Sequence, residues 1–215
     1  MPDSEAPSPF MQLALAASGR AENVSPNPAV GCVIVKDGAV IAEGTTQPPG
    51  GEHAEAMALR LAGEAARGAT AYVTLEPCNH HGRTPPCTEA LIAAGVTRVV
   101  YAIDDPDDKV SGSGRARLEG AGIEVEAGDG SDAASRHLEA YLKHRRTGLP
   151  FVIVKYAATL DGRIAAGSGD SRWVSGPETL KWAHRNRPYV DAMLVGSSTV
   201  VIDNPLLTAR PEGVE

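Results

Sequence analysis

The sequence has few cysteines, few aromatic residues and no long apolar run. Its 215 residues include three cysteines, two tryptophans and two phenylalanines. An odd number of cysteines argues against a disulfide framework and favours metal binding or catalysis in a reducing compartment. The start, "MPDSEAPSPFMQLALAASG", has acidic residues and prolines where a secretory signal carries basic residues. Because no stretch approaches the length of a membrane span, we expect a cytoplasmic protein that does not bind membranes.

Positive charge is also scarce. The chain has 20 Lys and Arg residues against 27 Asp and Glu residues, a formal net charge of −7. Such a field repels a phosphate backbone, and the few aromatic side chains leave few platforms for stacking bases. The composition therefore disfavours a nucleic-acid partner and favours a small-molecule substrate.

The apolar patterns predict an α/β domain. Helical "FMQLALAASGRA" precedes "GCVIVKDGAVIAEG", which is typical of two strands joined by a tight turn at Asp37-Gly38. A helix is predicted in "GGEHAEAMALRLAGEAARG", and strands are predicted in "ATAYVTLEP", "VTRVVYAI" and "IEVEAG" with helices between them. This alternation indicates a largely parallel sheet covered by helices.

A second region begins near residue 150. The stretch "SDAASRHLEAYLKHRRTGLP" predicts a last helix with basic residues at its C-terminal end, followed by a Gly-Pro break. The β-rich run "FVIVKYAAT" follows directly. We expect a domain boundary at residues 148–150.

Two short motifs indicate a zinc site. His53 and Glu55 stand in "HAE", Cys78 ends "TLEPC", and Cys87 begins "CTEAL". One imidazole and two thiolates give three ligands to a tetrahedral zinc ion and leave the fourth position for water, as a catalytic site requires. Zinc lowers the pKa of that water, and a carboxylate that is not a ligand can carry its proton to the leaving group. We predict His53, Cys78 and Cys87 as ligands and Glu55 as the proton carrier.

The spacing restricts where these residues lie on their helices. Residues two apart in a helix point about 200° apart, so His53 and Glu55 share a site only where the helix begins. Cys87 also stands at the start of a predicted helix. Two helix N-termini would then converge on the zinc, and their positive ends would stabilise the thiolates.

Other interpretations of these residues are open from the sequence. Cys78 and Cys87 could form a surface disulfide bond or be unrelated thiols, although the nearby "HAE" and "PC" motifs favour zinc. His80 and His81 could compete as ligands, but loop histidines beside a zinc site more often line the pocket or the surface. Cys32, within "GCVIV", is interpreted as a small buried residue.

The motifs match the zinc nucleobase deaminase pattern H-x-E…P-C-x-x-C, except that eight residues separate the cysteines. We expect the intervening "NHHGRTPP" to build the substrate pocket. With this variant, "NPAVGCVIV", "HAEAMAL" and "TLEPCNHHGRTPPCTEAL" resemble the deaminase domain of the bifunctional riboflavin-biosynthesis deaminase/reductase family. Further on, "KYAATLDGRIA", "GDSRWVSG" and "VGSSTVVIDNPLLTAR" resemble the start of that family's reductase domain.

The resemblance implies a fold and a reaction. Residues 1–147 would form a cytidine-deaminase-like three-layer α/β/α sandwich with a mixed sheet, and residues 150–215 the N-terminal part of a dihydrofolate-reductase-like domain. The implied reaction is zinc-dependent hydrolysis of 2,5-diamino-6-(5-phosphoribosylamino)pyrimidin-4-one to 5-amino-6-(5-phosphoribosylamino)uracil and ammonia. NADPH then reduces the ribosyl side chain in the second domain. Because the chain stops before the glycine-rich stretch expected to hold the cofactor phosphates, we expect this chain not to catalyse the reduction. We also expect the incomplete second domain to expose apolar surface, which favours a homo-oligomer.

The resemblance also implies roles for individual residues. It assigns the zinc-ligand and proton-carrier roles to the four residues predicted above, and Asn27 would face the pyrimidine. The positions that match NADP-binding residues are Ala157, Trp173, Thr199 and Asp203. The positions that match residues binding the sugar-phosphate substrate are Ser171, Arg187, Leu207 and Arg210. The two arginines suit a phosphate because a guanidinium donates two parallel hydrogen bonds.

Two competing functions are also compatible with parts of the sequence. The first is another zinc deaminase that acts on cytosine, guanine or tRNA adenosine, against which the eight-residue loop and the second-domain motifs argue. The second is a zinc-stabilised binding module without catalysis, against which the three-ligand set with Glu55 argues.

Overall fold

The computed structural model describes residues 6–82, 84–107 and 110–210. The chain divides into two compact units, Met1–Phe151 and Val152–Glu215. We call them the first and second units and describe each by itself.

The first unit alternates helices with strands, as the apolar patterns predict. Its elements in chain order are α1 (Pro9–Ser18), β1 (Gly31–Lys36), β2 (Ala39–Thr45), α2 (Ala54–Ala62), β3 (Thr70–Val73), α3 (Cys87–Ala94), β4 (Arg98–Tyr101), α4 (Ser113–Gly120), β5 (Glu124–Ala127), α5 (Ser131–His137) and α6 (Glu139–Thr147). A single 3₁₀ turn, Gly63–Ala66, follows α2. The tight turn between β1 and β2 is confirmed, since Asp37 and Gly38 both have positive φ values, 52° and 76°.

The strands form a mixed sheet in the order β2-β1-β3-β4-β5. Strand β1 runs antiparallel to β2 and β3, whereas β4 runs parallel to β3 and β5. The mixed sheet is therefore confirmed, and the expectation of a largely parallel sheet was too strong. Because β3 and β4 are parallel, the segments that follow them leave the sheet at the same edge, where ligands bind in open α/β sheets.

The sheet separates two apolar cores, and strand β1 contributes side chains to both. Cys32 and Ile34 face one side of the sheet, and Val33 and Val35 face the other, as the two-residue period of a strand requires. The first core includes buried side chains of α2, α3, α4 and α6, and the second includes those of α1 and α5. The first unit is thus a three-layer α/β/α sandwich, as predicted.

The last predicted helix of this unit is two helices. Its backbone leaves the helical region at Leu138, which has φ −95° and ψ 13° and separates α5 from α6. Leu138 and Leu142 are both 3% exposed and belong to the first core. Burial of these leucines accompanies a break that the helical pattern alone did not predict.

The second unit contains α7 (Pro177–Asn186), a 3₁₀ turn (Arg187–Tyr189) and α8 (Ser197–Asp203). The β-rich run at its start is not a strand, and Val152, Ile153 and Val154 are 66%, 65% and 77% exposed. A strand needs a partner for its backbone hydrogen bonds, and the described residues of this unit contain no strand to pair with it. Across all described residues, no helix has the length and apolar character of a membrane span.

Candidate metal centre

Helix α2 begins at the candidate centre. His53 is its N-cap with an extended backbone, φ −74° and ψ 161°, and Glu55 lies in the first turn. Strand β2 holds this end closely, because a Cβ on Gly44 would lie 2.2 Å from the carbonyl oxygen of Ala54. The prediction that His53 and Glu55 stand where a helix begins is confirmed by this placement.

Helix α3 begins at the same place. Cys87 is its first residue, and its backbone N–H donates to Sγ of Cys78 over 3.4 Å. The next N–H, of Thr88, donates to the carbonyl oxygen of Cys78 over 3.2 Å. Both bonds satisfy helix N-terminal donors that have no partner within the helix, so Cys78 caps α3 while its sulfur points to the cluster.

Three potential ligand atoms lie close together. Nδ1 of His53 is 3.6 Å from Sγ of Cys78 and 3.3 Å from Sγ of Cys87, and all three ligand atoms lie within 4.8 Å of one another. Tetrahedral zinc with ordinary Zn–N and Zn–S bonds places such atoms about 3.6 Å apart. Both cysteines are free thiols. The donor set and its spacing therefore fit zinc, and the disulfide interpretation is not supported.

The cluster changes the acidity of its own groups. The contact with Cys87 is the main cause that lowers the pKa of the Cys78 thiol, and the bond with His53 adds to it. This contact between the two sulfurs is also the main cause that raises the pKa of Cys87, and burial adds to the rise. One sulfur thus has strong thiolate character, which is the form that binds metal.

Glu55 is a buried carboxyl group beside the cluster. It is 4% exposed, and burial, followed by the charge of Cys78, raises its pKa to about 7. A group that titrates near neutrality can both take up and release a proton during a reaction. Glu55 lies outside the three-residue ligand group, and its carboxyl group has the acidity that a proton carrier needs.

A cavity of about 230 Å³ opens over these residues. Asn27, His53, Glu55 and Cys78 line it, as does His80 from the loop between the cysteines. His81 is exposed, and the ligand group found among the described residues includes neither histidine. Cys32 is fully buried in strand β1, which confirms its interpretation as a core residue.

Residues of the first unit that the sequence analysis did not select also line the cavity. Among them are Glu76, Asp105, Asp107, Tyr141 and Arg145, whereas Thr84, which also lines the cavity, lies in the "NHHGRTPP" loop that was expected to build the pocket. The acidic run "IDDPDD" directly after predicted strand β4 was an available signal, because residues that follow parallel strands gather at the ligand-binding edge. Tyr141 and Arg145 carried no such signal, since they belong to an ordinary amphipathic helix.

The second unit holds the positions assigned by resemblance to NADP and to the sugar-phosphate. Arg187 donates from Nη1 to the carbonyl oxygen of Thr208 over 2.6 Å. Burial and the charge of Arg210 lower the pKa of Arg187, so the two arginines lie near one another. Leu207 is also near, because it precedes Thr208 in the chain. Thr199 and Asp203 share α8, whereas Ala157, Ser171 and Trp173 lie outside helices. Their ligand-binding roles stay predictions.

The fold and the three-ligand cluster define a cytidine-deaminase-like zinc protein. Residues 4–103 match the family model of the cytidine and deoxycytidylate deaminase zinc-binding region. Residues 150–215 match the family model of the RibD C-terminal domain. The two matches occur in the order that the resemblance implied.

Individual known proteins are similar to this chain across both matched regions. The riboflavin biosynthesis protein RibD of Escherichia coli K12 is 52% identical over 198 residues, which cover 92% of this chain and 54% of that protein. One solved form of RibD from Acinetobacter baumannii is 48% identical with a TM-score of 0.89, covering 94% of this chain and 57% of that one. A deaminase/reductase from Thermotoga maritima is 44% identical with a TM-score of 0.89, covering 95% and 59%. Over nearly its whole length this chain is homologous to RibD proteins, and it spans about half the length of the curated relatives it matches.

Proposed function

We propose that the first unit hydrolyses 2,5-diamino-6-(5-phosphoribosylamino)pyrimidin-4-one to 5-amino-6-(5-phosphoribosylamino)uracil and ammonia. His53, Cys78 and Cys87 would hold a zinc ion, and Glu55 would carry the proton. One observation carries the proposal: a buried carboxyl group with a pKa of about 7 lies beside a His-Cys-Cys cluster in a cavity of about 230 Å³.

Glu55 would move one proton in two steps. Zinc bound to the cluster supplies a Lewis acid that makes water nucleophilic at neutral pH. The Glu55 carboxylate takes a proton from the water that attacks the amino-bearing ring carbon. It then gives that proton to the amino nitrogen, which leaves as ammonia, and the hydroxyl left on the carbon becomes a carbonyl as its proton moves to the adjacent ring nitrogen. Water and the amine are consumed and the carbonyl and ammonia are formed, so the reaction balances without a redox partner.

The cavity suits a small ring. Its volume is about 230 Å³, and Asn27 offers both an amide donor and an acceptor on the wall. The chain's net charge of −7 disfavours a polyanionic substrate. These features support a small-molecule pyrimidine over a tRNA.

The name of the Thermotoga maritima protein gives it two activities, that of a deaminase and that of a uracil reductase. We propose the deaminase for residues 1–147 and assign residues 150–215 to the N-terminal part of a reductase domain. In that part Ala157, Trp173, Thr199 and Asp203 would contact NADPH, and Ser171, Arg187, Leu207 and Arg210 the sugar-phosphate. A homo-oligomer also stays a prediction.

Ammonia release by the zinc-loaded chain tests the proposal. Glu55→Gln should lower kcat by about 10²–10⁴-fold, as expected for loss of a general acid–base, while the zinc content stays unchanged. Glu52→Gln is the matched control, because the Glu52 side chain is 41% exposed and pairs with Arg60 just before the same helix. It should keep wild-type activity. Equal activity of Glu55→Gln and wild type, or faster turnover of cytidine than of the diaminopyrimidine, would show that the proposal is wrong.

A further inference from the structure

Asp105 is a buried carboxylate on the wall of the cavity. It follows β4, is 4% exposed and lines the cavity with the ligand cluster. Its Oδ1 accepts from the N–H of Asp107 over 2.9 Å. The hydroxyl of Tyr141 in α6 lies 3.0 and 3.1 Å from its two oxygens. The side chain is therefore held by a donor from its own loop and by one from the last helix of the unit.

The backbone of the same loop is held separately. Glu76, which is 3% exposed, accepts from the N–H groups of Gly112, Gly114 and Arg115 over 3.1–3.2 Å. A longer contact of 3.4 Å joins it to the N–H of Asp105. Glu76 thus anchors the start of α4 and contacts the main chain at Asp105, while the N–H of Asp107 and the hydroxyl of Tyr141 orient the Asp105 side chain.

Helix α6 makes a second contact that steadies Tyr141. Nη1 of Arg145 lies 3.2 Å from Oδ2 of Asp107. The guanidinium of Arg145 also lies over the Tyr141 ring, 5.2 Å from the ring centroid. Residues four apart share one face of a helix, so Tyr141 and Arg145 contact the acidic loop together. Leu142 between them is buried in the core, which fixes the rotation of the helix.

The arrangement leaves acceptor capacity toward the cavity. A carboxylate has about four acceptor positions, and the donors from Tyr141 and Asp107 do not use all of them. A cavity that presents such acceptors favours ligands with N–H donors and discriminates strongly against ligands that lack them. The proposed diaminopyrimidine is rich in such donors.

We propose that Tyr141 is a positioning residue of the deaminase site, whose hydroxyl orients the Asp105 carboxylate toward the substrate. This inference rests on the proposed deaminase function. It makes α6, which contributes no zinc ligand, a determinant of substrate affinity.

Tyr141→Phe tests the inference because it removes only the hydroxyl. The variant should raise KM for the diaminopyrimidine about tenfold, the effect of one lost hydrogen bond, with kcat within about twofold of wild type because the zinc ligands and Glu55 are untouched. Tyr101→Phe is the matched control. Its hydroxyl also donates to an aspartate, Asp104, over 2.7 Å, but neither residue lines the cavity. It should leave KM and kcat unchanged.

A second measurement does not depend on deaminase activity. Burial raises the pKa of Asp105, and the bonds from Asp107 and Tyr141 partly offset that rise. ¹³C NMR of the Asp105 carboxyl should therefore show a still higher pKa in Tyr141→Phe and no change in Tyr101→Phe. An inactive wild type would overturn the proposed function alone, since the NMR titration still decides whether Tyr141 holds Asp105. An unchanged pKa of Asp105 in Tyr141→Phe, or an equal rise of KM in both variants, would overturn the inference.

Discussion

Nε2 of His53 lies 3.3 Å from the hydroxyl oxygen of Thr84, while Nδ1 of the same ring faces the two cysteine sulfurs. A histidine that binds metal through Nδ1 carries its proton on Nε2. Thr84 can accept that proton in a hydrogen bond, which fixes both the tautomer and the orientation of the ring. The loop between the cysteines therefore supports the first ligand as well as separating the other two.

Thr84→Val should weaken zinc binding by about 10–100-fold, the usual effect of losing the outer partner of a histidine ligand. Competition with a chromophoric chelator measures the affinity. Thr84→Ser keeps the hydroxyl and should bind zinc nearly as tightly as wild type. Equal affinities of the valine variant and wild type would mean that Thr84 does not support His53.

The three cysteines should differ in their effect on zinc content. Cys78→Ser and Cys87→Ser each replace a proposed ligand and should reduce bound zinc well below one ion per chain, measured by elemental analysis after dialysis. Cys32→Ala is the control, because Cys32 is fully buried in β1 and does not belong to the ligand group. Full zinc content in either serine variant, or loss of zinc in Cys32→Ala, would contradict the assignment.

Two glycines of α4 should respond oppositely to alanine. A Cβ on Gly114 would lie 2.0 Å from the carbonyl oxygen of Pro77, next to the ligand Cys78, whereas a Cβ on Gly120 meets nothing within 4 Å. Gly114→Ala should lower the free energy of unfolding by about 1–3 kcal/mol because the backbone must shift. Gly120→Ala should be neutral or raise it by up to about 1 kcal/mol. Denaturant unfolding measures both, and equal stabilities of the two variants would contradict the close contact.

Much of the centre was predictable because its chemistry is encoded locally. His53 and Glu55 are two residues apart, so their common orientation follows from the start of one helix, and Cys78 and Cys87 flank a single loop. The turn at Asp37-Gly38 was similarly predictable, because only a few residue types adopt positive φ at two successive positions. In each case, short-range backbone geometry determines the outcome.

The remaining features depend on distant contacts. Tyr141 meets Asp105 across 36 residues of chain, and no periodicity in either segment indicates that α6 packs beside the loop after β4. The break at Leu138 likewise coincides with burial in a core that other elements complete. The run at Val152 shows the opposite limit: its apolar, β-rich pattern forms no strand, because the described residues of the second unit contain no strand to pair with it.

The cavity draws its walls from both ends of the first unit, with Asn27 before β1 and Tyr141 and Arg145 on α6. The family model of the zinc-binding region ends at residue 103, before Asp105 and both α6 residues. An engineer who excised a minimal deaminase at that limit would retain every proposed zinc ligand and Glu55 but remove one side of the substrate cavity. A functional fragment therefore has to extend through Thr147.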